Sequence, residues 1–198
     1  MGSFITDYDS MEKDNKQYAI VLELSDSMLK EAKTAMTILS NKFEVSYLQS
    51  LSQCPHITLV SGLTIFDTIQ FWDSLCFDIK QVEKFGLKGN GLGIFVRDTP
   101  VIHIRWQLNR SLKHLRDHIS TVLYDMKKKE IILNYEKDLD WLPKTTLAFH
   151  DTSYESLSEV IKSIKDLNFL EIMQVGSLSL YEYSSLKGEK CLYNYFFE

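Results

Sequence analysis

Two short segments of this chain read as copies of each other, and that repetition limits its fold more than any other feature. Cys54-Pro55-His56-Ile57-Thr58-Leu59 and Leu142-Pro143-Lys144-Thr145-Thr146-Leu147 each place a basic side chain after a proline and two residues before a threonine. The surrounding run is apolar and β-branched, which favours a strand. In a strand, residues i and i+2 share a face. His56 therefore projects with Thr58, and Lys144 with Thr146. A basic group beside a hydroxyl, presented twice, makes a clamp for one phosphate.

The pair resembles the two H-x-T/S motifs of the 2H phosphoesterase superfamily, in its 2′-5′ RNA ligase-like, cyclic phosphodiesterase branch. His56-Ile57-Thr58 matches the first motif in full, whereas Lys144-Thr145-Thr146 puts lysine where the family has histidine. The 88 residues from His56 to Lys144 suit one motif in each half of the family's duplicated fold. The likeness extends to the flanks: Tyr18 to Leu24 with Ser25-Asp26, Gly91 to Phe95 with Val101 to Trp106, and Ser179 to Ser184. H-x-T alone specifies only two residues; the paired Pro-(His/Lys)-x-Thr-Leu segments narrow the field. The resemblance implies an α+β fold with two pseudo-symmetric lobes. Each would be an antiparallel-rich sheet with outer helices, and a cleft would lie between them. It further implies phosphodiester chemistry on 2′,3′-cyclic phosphates or 2′-5′ linkages of small nucleotides and RNA ends, without metal or other cofactor.

Composition agrees with a folded chain of that size. The 198 residues suffice for one core, and 44% hydrophobic with 25% charged content is ordinary for a globular protein. Net charge of −5 argues against extended non-specific nucleic-acid binding, which needs a basic surface, but allows a local basic cleft. Three scattered cysteines, Cys54, Cys76 and Cys191, fit reduced thiols and a cytoplasmic location better than a disulfide framework or zinc site. No run is long and apolar enough for a membrane span. Met1-Gly2-Ser3-Phe4-Ile5-Thr6 fits the short N-myristoylation pattern. No feature calls for an obligate protein partner.

Periodicity places elements along the chain. Residues 1–16 read as a polar arm and 17–198 as one bilobal domain, with lobes over about 17–88 and 89–198 between which strands can exchange. Strands are expected at Tyr18–Leu24, Val45–Leu48, His56–Ser61 (ended by Gly62), Cys76–Leu87 (one strand, or two with a bend), Val101–Leu108 and Thr145–Phe149. Met173–Tyr183 and Lys190–Phe197 read as a hairpin around Lys187-Gly188, and Gly89–Gly93 as a turn. Helical spacing appears after Ser25 or Asp26, over Ile65–Leu75, from a Ser111 cap through Lys128, and over Tyr154–Asp166.

Displacement at phosphorus needs a base, an acid, and donors for the phosphoryl charge. The resemblance makes His56 and Lys144 the catalytic candidates and Thr58 and Thr146 the phosphate-binding ones. An unperturbed lysine has a pKa of about 10.4, too high to donate a proton readily at neutral pH. Burial lowers it, so a pKa near neutrality favours an enzyme and an ordinary one favours a binding protein that retains the clamp without efficient turnover.

Candidate substrate-binding residues are His103 and Arg105, alternating on one strand, and Tyr181 and Tyr183, sharing a face of the last strand region. All four also read as ordinary strand or core residues. His150-Asp151-Thr152 is a second H-x-T but lacks the preceding proline and following apolar run, and reads as a turn and cap. His114 and His118 have zinc-compatible i, i+4 spacing, yet no further ligand at motif spacing makes them a solvated helical face. Lys127-Lys128-Lys129 suits a helix C-terminus.

Overall fold

The computed structural model describes residues 16–51, 54–126, 131–133, 141–184 and 188–198. The myristoylation pattern and the lysine run at 127–129 lie outside them, as does all of the expected arm but Lys16. The described elements run β1 (Gln17–Glu23), α1 (Asp26–Phe43), α2 (Tyr47–Ser50), β2 (His56–Ile65), α3 (Thr68–Ile79), β3 (Phe85–Phe95) and β4 (Val101–Trp106). They continue with α4 (Arg110–Met126), β5 (Ile131–Leu133), β6 (Lys144–Ala148), α5 (Leu157–Ile164), β7 (Ile172–Val175), β8 (Ser177–Ser184) and β9 (Gly188–Phe196). One sheet has strand order β5-β2-β1-β8-β9 and the other β6-β4-β3-β7. Every pairing is antiparallel. This is the expected α+β fold, with two antiparallel sheets and helices packed on them.

Amphipathic helices close the core. α1 buries Met28, Ala32, Ala35, Met36 and Leu39, and α4 buries Leu112, Leu115, Ile119, Val122 and Leu123. Both sets recur at three and four residues, the spacing of one helical face. Against them the sheets present Ile20, Leu22, Ile57 and Leu59 from the first, and Ile102, Ile104, Trp106 and Leu147 from the second. Alternate residues on the same strands turn the other way. Ala19, Val21 and Tyr181 gather there with Tyr183 in a separate small cluster.

Several local expectations change, each for a visible reason. Residues 45–48 are not a strand: Tyr47–Ser50 is a short helix, and the distant Asp151 Oδ2 accepts the Ser46 and Tyr47 amides at 2.6 Å each. Gly62 does not end β2. It takes φ 70° and sits where the pairing to β1 skips from Val60 to Leu63, so the strand bulges and continues to Ile65. Cys76 belongs to α3, whose start is set by Asp67 accepting the Ile69 and Gln70 amides at 3.0 Å.

Gly89 to Gly93 is strand rather than turn. A Cβ on Gly89 would lie 2.2 Å from the Phe169 carbonyl oxygen, so glycine there serves close approach. The cap of α4 is Asn109, whose Oδ1 accepts the Leu112 amide at 2.9 Å, rather than Ser111. α5 is shorter than expected, covering Leu157–Ile164. The expected run Met173–Tyr183 divides at Gly176: β7 joins β3 in the second sheet and β8 joins β1 in the first. β8 then forms the hairpin with β9.

Candidate active site

The two motifs occupy equivalent places in the two sheets. His56 opens β2 opposite Glu23 of β1, with Thr58 opposite Val21. Lys144 opens β6 opposite Arg105 of β4, with Thr146 opposite His103. Strand for strand, Glu23 thus corresponds to Arg105, and Val21 to His103. The alternation that sends Ile57, Leu59 and Leu147 into the core sends His56, Thr58, Lys144 and Thr146 to the opposite faces. β2 and β6 approach one another, and the Trp141 indole N–H donates to the Thr58 carbonyl at 3.1 Å. Trp141 itself lies under the Arg116 guanidinium, 4.5 Å from the ring centre.

Around His56 the site is enclosed and rich in acceptors. The ring is buried, and its Nδ1 lies 2.8 Å from the Cys54 carbonyl and 3.5 Å from Glu189 Oε1. With Nδ1 donating, Nε2 is free to accept, and the Tyr183 hydroxyl lies 3.3 Å from it. Tyr181 meets the ring edge to face at 5.3 Å. Its hydroxyl donates to Glu23 Oε1 at 3.4 Å, and burial pushes its phenol up from the ordinary value. Ser177 and Ser179 also donate to Glu23, at 3.4 and 3.0 Å.

Around Lys144 the site is cationic. Its Nζ donates to Thr146 Oγ1 at 2.8 Å and lies 6.0 Å from the centre of the Phe95 ring. The Arg97 guanidinium stands 5.9 Å from the same ring. Burial, and secondarily Arg97, lowers the Lys144 amine to about 8. His103 is buried, stacks on Phe95 at 4.3 Å and has Nδ1 3.3 Å from the Val101 carbonyl. Burial holds it down to about 4, helped by Lys144 and Arg105, so it is neutral at physiological pH. A Cβ on Gly93 would sit 2.5 Å from His103 Nε2 and 2.8 Å from Arg105 Cδ, so both side chains lie over that bare strand position. Arg105 is exposed.

The structure thus brings Tyr181 and Tyr183 to His56, and His103 and Arg105 to the strand pair of Lys144 and Thr146. Among the described residues no hydrogen bond or ion pair joins His56 to Lys144. His150 stands apart at φ 72°, exposed beside Tyr47 and Phe149, while its neighbour Asp151 caps α2. His114 and His118 lie side by side on α4, their rings 6.5 Å apart, and His118 Nε2 meets the Asp78 carbonyl at 3.1 Å. Among the described residues no three His, Cys, Asp or Glu side chains gather as metal ligands would.

Sequence reasoning passed over Glu23, Glu189, Phe95 and Arg97. Glu23 left a signal, an acid ending an otherwise apolar strand. Glu189 left none locally, because a strand far along the chain, β9, delivers it.

No protein-family model matches the chain, and no curated protein sequence does. Solved structures do match over nearly its whole length. E. coli LigT in complex with 3′-AMP superposes with a TM-score of 0.60 at 14% identity, covering 93% of this chain and 99% of LigT. TT0787 of Thermus thermophilus gives 0.65 at 16% identity, covering 91% and 97%. LigT has also been seen with NADP+ and with ATP. With its paired sheets, and a motif strand in each, the chain has the fold of LigT and TT0787.

Proposed function

We propose that this chain is a metal-independent phosphodiesterase that opens 2′,3′-cyclic phosphates or cleaves 2′-5′ linkages in small nucleotides and at RNA ends. The observation that carries the reading is Lys144, whose burial lowers its pKa to about 8 while its amine bonds Thr146 on the strand lying against that of His56. A lysine poised there is charged at neutral pH yet can give up its proton.

His56 Nε2 takes a proton from the attacking water as the water oxygen bonds to phosphorus. The bond from phosphorus to the leaving ribose oxygen breaks, and Lys144 protonates that oxygen. The hydroxyls of Thr58 and Thr146 hold the non-bridging oxygens, and Arg105 beside Lys144 adds positive charge as the phosphoryl group becomes more anionic. One phosphomonoester and one hydroxyl result, and solvent restores the two protonation states. Acids lie on the His56 side, with Glu23 and Glu189, and cations on the Lys144 side. That asymmetry turns the phosphate toward Lys144. Tyr183 leaves His56 Nε2 as substrate enters. Tyr181 and neutral His103 form the walls. The nucleotides seen with LigT fit a ligand of this class.

Turnover of 2′,3′-cyclic nucleotides and 2′-5′-linked dinucleotides, measured in EDTA, tests the reading. Wild type is expected to turn over, and His56→Ala to lose on the order of 10²- to 10⁴-fold in rate. Lys144→Ala is expected to lose a similar factor, and Lys144→His to retain or exceed the wild-type rate. A wild type without turnover that binds nucleotide through His56 and Lys144 would make the chain a carrier or sensor instead.

A further inference from the structure

Beyond its share in the acidic side of the site, Glu189 has a burial that the proposed reaction does not explain. Its side chain is only 3% exposed, and neither of its oxygens has a hydrogen-bond partner among the described residues. A buried charge without a partner is costly, so such groups mark a demand placed on the site. Among the described residues, the basic atom it pairs with is His56 Nδ1, at 3.5 Å from Oε1. The other acid beside His56, Glu23, is already engaged by Ser177, Ser179 and Tyr181.

The chain goes to some length to bring Glu189 there. The residue lies on β9, three strands away from His56 in the order β2-β1-β8-β9. Gly188 before it takes φ 71°, and a Cβ at that position would lie 2.6 Å from the Leu51 carbonyl oxygen. Glycine there lets the start of β9 pack against Leu51, ahead of the first motif. The pairing of β8 with β9 places Tyr183 opposite Glu189, so one strand pair delivers groups to both nitrogens of the imidazole: Glu189 to Nδ1 and Tyr183 to Nε2.

We propose that Glu189 is the positioning residue of His56: its carboxylate holds the Nδ1 side of the ring and carries the counter-charge of the imidazolium that forms when Nε2 takes a proton. In the resting ring the Cys54 carbonyl accepts from Nδ1. As the ring becomes cationic, a neutral carbonyl supplies only a dipole, whereas the carboxylate supplies a full opposite charge in a water-poor setting. The catalytic part of this assignment rests on the phosphodiesterase reading; the pairing of Glu189 with a charged His56 does not. Tyr181 and Tyr183 from β8 touch the ring, Glu23 of β1 is paired opposite it, and Glu23, Cys54 and Cys191 of β9 lie around Tyr181.

Two readouts on the full chain test it. Glu189→Gln keeps size and shape while removing the charge, and Glu189→Asp keeps the charge. Thermal unfolding of wild type, His56→Ala, Glu189→Gln and the double variant, at pH about 5 and about 8, brackets the range in which histidine changes charge. The loss of Tm from Glu189→Gln is expected to differ between the two backgrounds, and that difference to grow at the acid pH. A difference of zero, or one that does not change with pH, overturns the pairing whether or not the protein turns over. In cyclic-nucleotide turnover, Glu189→Gln is expected to lower kcat on the order of 10- to 100-fold with KM little changed, as loss of an orienting partner does elsewhere. Glu189→Asp should recover part of that loss, and Glu189→Gln should have no further effect on a His56→Ala background. A Glu189→Gln kcat equal to wild type would overturn the catalytic role. An inactive wild type with pH-dependent coupling would leave the pair standing and remove the phosphodiesterase reading.

Discussion

At the scale of single residues, the chemistry we propose turns on Lys144. Its ammonium sits in a partly buried pocket near Arg97, and both surroundings favour the neutral amine, giving the value of about 8. Below that pH the group is charged and can stabilise phosphate or donate; above it the proton is gone. We therefore expect kcat/KM to fall as pH rises through about 8, and Lys144→Arg, which cannot deprotonate, to abolish that limb. Stability follows from the same shift. The unfolded lysine, with its ordinary value of 10.5, binds protons more tightly than the folded one, so folding stability rises between about pH 8 and 10.5. Lys144→Met should flatten that rise and stabilise the fold by about 1–2 kcal/mol at pH 7 in denaturant titration, while losing turnover.

At the scale of elements, β3 carries the information that its glycines conceal. As a sequence, Gly89-Asn90-Gly91-Leu92-Gly93 reads as a turn because glycine is frequent where φ is positive. In the sheet only Gly91 has that geometry, at φ 73°, within a bulge between Gly89 and Leu92. The other two allow close approach, to a backbone oxygen at Gly89 and to side chains at Gly93. A backbone cannot move aside as a side chain can. Gly89→Ala should thus lower the urea midpoint, at a cost on the order of 1–3 kcal/mol. Gly93→Ala should unfold less readily but lose activity by displacing His103 and Arg105. A Gly93→Ala enzyme with wild-type kcat would show that those two side chains do not serve the reaction.

At the scale of the whole molecule, each sheet is assembled from distant stretches of chain. β1 and β2 come from the beginning, yet β8 and β9 from the end complete their sheet, and Gly188 sets how closely the end packs on Leu51. Gly188→Ala forces a side chain into positive φ and against a carbonyl, so it should cost on the order of 1–2 kcal/mol by thermal unfolding and lower kcat through Glu189. The amino-acid sequence by itself determined the motif strands, the amphipathic helices and the shared faces of His56 with Thr58 and of Lys144 with Thr146. Each of these depends on side-chain periods of 2 or 3.6 residues, which are local and so written in the chain. It also carried the repetition from which the doubled fold is inferred. Only the tertiary structure decided the rest. Residues 47–50 form a helix that Asp151 caps from far away, and the run 173–183 divided between sheets at Gly176. Lys144 acquired its lowered pKa from burial that no neighbouring residue encodes, and Glu189 reached His56 from another strand of the sheet. Burial and long-range contact depend on which distant surfaces meet, and this chain settles that only when both sheets have formed.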